Sequence, residues 1–275
     1  MPLCICYAYA MNIGQSIVLG IIQGVTEFLP ISSTAHLILA RNFLGIGLDN
    51  SLVFDLFLNL ATVIAVFIYF RKDFGLLITS FFRLLLRRTT TPPERTFLFS
   101  VIVGAIPALL LGFIFQHYVE YTLRSPFVIV IFLLLGSALF WFAEKRATQK
   151  KSVTVSGSFV IGFFQALALF PGVSRSGATI SGGLFLGLSR EEATRLSFML
   201  GFPVLAVASI YKVLTFGEVV FAAPMLIPSI VGFIAALVSG LYAIGFLMKF
   251  LKTNSLSAFI PYRVALALLV LFGLF

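Results

Sequence analysis

Residues 23–36 read QGVTEFLPISSTAH, and they interrupt a chain that is otherwise apolar enough to lie in a membrane. Gln23 and Glu27 stand four apart, so on a helix they share a face, and Pro30 breaks or redirects that helix. An ionisable side chain at membrane depth is costly unless it meets a partner or a water-filled cavity. Thr26, Ser32, Ser33, Thr34 and His36 make this stretch a polar cluster rather than a lone charge. After Pro30, the Ser32-Ser33-Thr34 run has the chemistry of a helix N-cap, and the free N–H groups of such a start attract anions. Capping uses one hydroxyl; three of them, with His36 on the following turn, point beyond capping.

Composition gives this stretch its setting. Of 275 residues, 60% are hydrophobic and 11% charged, with 32 Phe, whereas soluble domains carry about 25% charged residues. The fold class expected is an all-α polytopic membrane protein, one integral domain over 1–275. Basic residues outnumber acidic ones 19 to 10, but they fall in short clusters between apolar segments. They read as orientation signals, and a nucleic-acid partner is not expected. Cys4 and Cys6 precede the first recognisable span and form neither a disulfide framework nor a cysteine metal site; Met11 is an alternative start.

Six segments are long enough to cross, at about 20 residues each: roughly 52–70, 97–115, 126–143, 195–213, 224–248 and 259–275. Two further stretches, roughly 12–40 and 157–187, are interrupted by Pro, Gly and hydroxyl residues and need not cross. The basic loops 71–95 and 144–151 belong in the cytoplasm. Counting crossings from them places the turns at 190–195 and 249–252 on the same side and the loop 116–124 outside.

An internal repeat fits this parity. GIIQGVTEFLPISSTAH (20–36) and GFFQALALFPGVSRSG (162–177) align Gly20 with Gly162, Gln23 with Gln165, Phe28 with Phe170, Pro30 with Pro171 and Ser33 with Ser174 across a one-residue gap. Each is followed by three spans of opposite orientation. The expectation is an inverted repeat, 1–150 and 151–275, with three spanning helices and one re-entrant helix pair in each half, the interrupted segments meeting near the midplane.

The second segment, PGVSRSGAT (171–179), sets Arg175 between Ser174 and Ser176, flanked by Gly172 and Gly177 and followed by Thr179. Glycines let backbone approach a ligand closely, and a guanidinium fork matches phosphate oxygens. Phosphoryl transfer needs charge stabilisation and an oriented nucleophile. A diphosphate-headed lipid suits such a centre, because its tail can stay among the spans. The residues leave open whether Ser33 attacks phosphorus or orients a water. They also leave open a binding protein of another class, a lipid-phosphate flippase or anion transporter with the same inverted-repeat plan.

At these two motifs the chain resembles the bacterial undecaprenyl-diphosphate phosphatases of the bacitracin-resistance type. The resemblance extends over FDLFLNLATVIAVFIYFR (54–71), ALVSGLYAIGFLMKFLK (236–252) and PYR (261–263). It implies hydrolysis of undecaprenyl diphosphate to the monophosphate carrier lipid for peptidoglycan synthesis, in the bacterial inner membrane, with the active site on the extracytoplasmic side. It also implies a divalent cation, Mg2+ or Ca2+, held at Glu27. By the same resemblance Glu27, Ser33, His36 and Arg175 are catalytic, with Ser33 as nucleophile and Arg175 as phosphate clamp. Gln23, Ser32, Thr34, Ser174, Ser176 and Thr179 would bind substrate. The chain departs from the family pattern in having Gln23 where many members have Glu, Ala35 for Gly, and Asn59 and Ala61 for Gln and Gly. The GLFLG stretch (183–187) is a small-xxx-small pattern that could pack helices within the chain or between copies in a homo-oligomer.

Overall fold

The computed structural model describes residues 11–46, 51–122, 125–148, 151–220 and 223–272; Cys4 and Cys6 lie outside them. The described residues form helices and connecting turns only. They are α1 (Ile13–Phe28), α2 (Ser33–Leu44), α3 (Ser51–Tyr69), α4 (Arg71–Leu85), α5 (Pro92–Thr122), α6 (Pro126–Arg146), α7 (Val155–Ala166), α8 (Arg175–Phe185), α9 (Arg190–Val220), α10 (Ala223–Thr253) and α11 (Ile260–Leu271).

The two interrupted stretches fold as helix pairs. Asn12 and Gln15 start α1 with a reciprocal capping box, and Pro30 ends it by denying the next turn its N–H. With 16 residues in α1 and 12 in α2, neither helix is long enough to cross the hydrocarbon. The chain reverses at Ser32 (φ 75°), whose hydroxyl accepts from the Ala35 N–H. The second pair, α7 and α8, reverses at Ser174 (φ 74°), whose hydroxyl accepts from the Gly177 N–H.

These matching caps correct the sequence alignment. Ser174 corresponds to Ser32, not Ser33, and no gap is needed: one spacing of 142 residues separates Gly20 from Gly162, Gln23 from Gln165, Phe28 from Phe170 and Ser32 from Ser174. Packing repeats at the same positions. A methyl group at Gly20 would strike the Gly232 carbonyl of α10, and one at Gly162 would strike the Gly104 carbonyl of α5. Each half therefore seats its short helix against a long helix of the other half, through glycines that let backbones touch.

The helices α5, α6, α9 and α10 contain stretches long and apolar enough to cross a membrane. The first expected span, α3, bends by 81° into α4, so the expected loop 71–95 is a second helix over its first half. That helix buries Phe74 and Leu77 while exposing Ile78, Phe81 and Phe82 beside Arg83, the pattern of a helix lying in the membrane interface. The expected outer loop 116–124 is likewise mostly the last turns of α5, which runs to Thr122. The last expected span is a 3-10 turn, Leu256–Phe259, followed by the 12 residues of α11.

Ion pairs tie the basic segments to one face. Arg190 donates to Glu144 through Nε (3.0 and 3.1 Å) and NH2 (2.6 Å). Lys252 meets Glu191 at 2.8 Å, and Arg195 pairs with Asp73 of α4. The turns placed on one side by counting crossings do meet there. In GLFLG, Gly183 packs closely on Ala193 of α9 and Gly187 makes a turn at φ +88°, so the pattern is used within the chain.

The carboxylate of Glu144 accepts from Arg190 and from the Leu256 N–H (2.6 Å), and its side chain is only 8% exposed. Replacing it with Ala leaves both donors without that partner. Glu144→Ala is expected to lower stability in detergent by about 2 kcal/mol, while Lys252→Ala at the exposed pair costs less than about 1 kcal/mol. Thermal unfolding of the two variants checks the contrast.

Candidate active site

The reversals at Ser32 and Ser174 bring the starts of α2 and α8 beside the end of α1. Glu27 is the junction. Its Oε1 accepts from Arg175 NH2 at 3.1 Å, and its Oε2 accepts from the Ser33 hydroxyl at 2.8 Å and from Gln23 Nε2 at 3.3 Å. The side chains of Glu27 and Arg175 are each 9% exposed. With Ser32 aligned to Ser174, Ser33 and Arg175 occupy equivalent positions at the starts of the two re-entrant helices. Both point at the one carboxylate.

Arg175 spends a single donor nitrogen on Glu27. Its Nε and NH1 are buried and have no hydrogen-bond partner among the described residues. Space for the guanidinium comes from Gly201 of α9, where a methyl group would overlap NH1. Donors held this way in a low-dielectric site favour an anion strongly.

Two cavities share Glu27, Ser33 and Thr34. One, of about 200 Å³, also holds Ser32, Ser174, Arg175 and Gln165, with Ala108, Ala166, Leu169, Phe170, Val204 and Leu205 as apolar wall. It shares Ala166, Leu169 and Phe170 with an apolar groove of about 670 Å³ between α5 and α7, lined further by Leu111, Phe115 and Phe163. The other cavity, of about 180 Å³, lies against Gln23, Arg41, Asp55, Asn59 and Lys212.

Not every expected residue lies on these walls. His36 lines neither cavity: its Nδ1 is 2.7 Å from the Ser32 carbonyl, and its Nε2 is 2.6 Å from the Tyr262 hydroxyl. It therefore holds the reversal that presents Ser33. Ser176 and Thr179 are fully buried behind Arg175. Thr179 donates to the Arg175 carbonyl at 2.8 Å and bonds to Ser197 of α9, anchoring the first turn of α8.

Gln23 replaces a carboxylate common in the resembling family, and its surroundings suit the amide. Its Nε2 donates to Glu27 and to Asn59 Oδ1 (3.2 Å), while its Oε1 is buried without a partner among the described residues. Asp55 is engaged by Arg41. The described residues hold no cluster of three or more His, Cys, Asp or Glu side chains suited to a metal. One carboxylate and one free amide oxygen do fit a hard cation that takes its remaining ligands from phosphate and water; they do not make a closed protein cage.

In the sequence Arg263 stands out only as part of PYR (261–263). It is fully buried and donates to Pro30 O (3.1 Å) at the first reversal, Gly172 O (2.8 Å) at the second, and Leu133 O (3.0 Å) and Ser137 Oγ (3.1 Å) on α6. Its guanidinium also lies over the Phe140 ring. One side chain thus sets the distance between the two loops. An arginine inside an apolar span was the available signal; for Gly201 and Lys212 nothing in the sequence stood out.

A helical multi-pass membrane protein that closes two re-entrant loops around a carboxylate, a serine and an arginine with free donors is built to hold an anionic headgroup. The chain belongs to the bacitracin resistance protein BacA family, whose model matches residues 16–269. It is 42% identical over 261 residues to the undecaprenyl-diphosphatase of Thermodesulfovibrio yellowstonii, covering 93% of this chain and 95% of that one. It is 40% identical over 264 residues to that of Rubrobacter xylanophilus (93% and 96% covered), and 39% identical over 260 residues to that of Elusimicrobium minutum (94% and 96%).

Arg263→Met removes the donors that both reversals share. The expected result is a stability loss of about 3 kcal/mol and faster thiol labelling of Val173→Cys, a position 5% exposed. Unchanged labelling would show that the loops keep their places without Arg263.

Proposed function

We propose that the protein hydrolyses undecaprenyl diphosphate to undecaprenyl phosphate and inorganic phosphate, returning the carrier lipid to peptidoglycan synthesis and thereby giving bacitracin resistance. The observation that carries this reading is the free Nε and NH1 of Arg175 beside the Glu27–Ser33 hydrogen bond, where an apolar groove begins. The names of the relatives agree with it.

In this reading the terminal phosphate lies against Arg175 and the starts of α2 and α8, and the prenyl tail follows Ala166, Leu169 and Phe170 into the groove. Glu27 takes the Ser33 proton as Oγ attacks the terminal phosphorus. The Oγ–P bond forms as the bridging O–P bond breaks, and the lipid monophosphate leaves. Water then attacks the phosphoserine: the Oγ–P bond breaks as the new P–O bond forms, the proton taken earlier returns from Glu27 to Ser33 Oγ, and the water proton that passes to Glu27 is released to solvent, leaving inorganic phosphate and an ionised Glu27. Arg175 is needed in both steps, because negative charge on the equatorial oxygens must be held throughout. A bound Mg2+ or Ca2+, held by Glu27 and Gln23, would neutralise further phosphate charge.

The same geometry supports an active site facing outward across the bacterial inner membrane. The polar cavity reaches Asp55, near the end of α3 opposite Arg71, so it lies toward the side away from the basic loops.

Purified protein given a polyprenyl diphosphate should release phosphate. Ser33→Ala should lower kcat about 10³-fold and abolish the phosphoserine seen in rapid-quench mass spectrometry. Phosphate release undiminished in Ser33→Ala would exclude the serine route. Ala166→Phe, which narrows the passage from cavity to groove, should raise KM for the long-chain substrate about tenfold and leave a short-chain diphosphate nearly unaffected.

A further inference from the structure

Four charged side chains line the polar cavity: Glu27, Asp55, Arg41 and Lys212. Of the charged side chains on its wall, Glu27 is paired with Arg175 and Asp55 with Arg41. Lys212 of α9 is the remaining one, and no ion pair is formed by it among the described residues. The wall itself carries two carboxylates and two cations, but Glu27 takes its partner from Arg175 outside this wall, which leaves Lys212 as the wall's one cation without an ion pair among the described residues. Hydrogen-bonding groups of Ser33, Thr34, Gln23 and Asn59 face the same space.

The two cavities differ in character and meet only at the reacting residues. The first leads through Ala166, Leu169 and Phe170 into an apolar groove. The second shares no wall residue with that groove and has a mostly polar lining. A lipid tail suits the first. The second suits what carries no tail, which for this reaction is water on the way in and inorganic phosphate on the way out.

We propose that the Lys212 cavity is a product site: it receives the inorganic phosphate released at Ser33, with Lys212 as the cation that draws the dianion away from Glu27 and toward the outer face. This rests on the hydrolytic reading above and adds to it a second anion site with its own residue. A lysine suits the task because its ammonium is a compact, mobile point charge that holds phosphate without the bidentate grip of an arginine. A phosphate leaving past Glu27 without such a charge would meet two carboxylates, each already sharing its counter-ion.

Inorganic phosphate is the probe. Product inhibition of phosphate release is measured for wild type, Lys212→Met and Lys212→Arg, together with KM for the polyprenyl diphosphate. In parallel, stabilisation by inorganic phosphate is measured by thermal unfolding without substrate. The expected result is an inhibition constant for phosphate raised at least tenfold in Lys212→Met, with loss of phosphate-dependent stabilisation, KM for the lipid within twofold of wild type, and recovery in Lys212→Arg. Equal phosphate inhibition in wild type and Lys212→Met overturns the proposal. A rise in lipid KM with phosphate inhibition unchanged also overturns it, since the cavity would then hold the substrate headgroup. If wild type releases no phosphate from the lipid, the hydrolytic reading fails by itself, and the substrate-free stabilisation still decides whether Lys212 binds phosphate.

Discussion

The contact on which the centre of this protein depends is the ion pair between Glu27 and Arg175, because it joins residues 148 apart in the chain and from opposite halves of the repeat. Neither charge would be stable alone at membrane depth. Their pairing permits both to be buried, yet it uses only one of the arginine's three nitrogens. The rest of the site follows from that imbalance. Gly201 must be a glycine to make room for the guanidinium, Ser33 must stand where it can share the carboxylate, and Arg175 keeps two buried nitrogens without a partner among the described residues on the wall of a polar cavity.

Such a pair is useful only if the loops holding it keep their spacing, and the chain solves this from a distant helix. Arg263 and Tyr262 at the start of α11 reach both reversals: Arg263 through the carbonyls of Pro30 and Gly172, Tyr262 through His36 to the carbonyl of Ser32. Ser32 and Ser174 both sit at positive φ, which costs roughly 1–3 kcal/mol each for a non-glycine residue. Those hydrogen bonds, with the hydroxyl caps, offset the cost. Strained reversals are thereby fixed where the helix starts face the Glu27 carboxylate.

Much of this was readable in the sequence, and the failures have physical causes. Charge clusters and apolar lengths located the long helices, and Pro30 and the serine runs located the re-entrant loops. The amphipathic helix α4 looks like a loop in sequence because basic residues cluster along 71–95, while its apolar face repeats only over about four turns. The alignment of the repeat slipped by one because Pro30 and Pro171 look equivalent, whereas the backbone matches Ser32 with Ser174. Glu27, Ser33 and Arg175 were found because polar groups are conspicuous in an apolar chain. The contacts of Arg263 are not legible in sequence because three of its four hydrogen-bond partners are backbone carbonyls, which leave no trace in a residue pattern. His36, expected to be catalytic, lies off both cavity walls and contacts the Ser32 carbonyl and the Tyr262 hydroxyl.

The central claim is that the two loops form one catalytic unit across the Glu27–Arg175 pair. A double-mutant cycle on phosphate release from a polyprenyl diphosphate, with Glu27→Gln, Arg175→Gln and the double variant, tests it most directly. Residues that act as a unit are strongly non-additive, so the double variant should be no more than a few-fold slower than the worse single variant. Losses in kcat that multiply, leaving the double variant slower by the product of the two, would contradict the account and show two independent contributions instead.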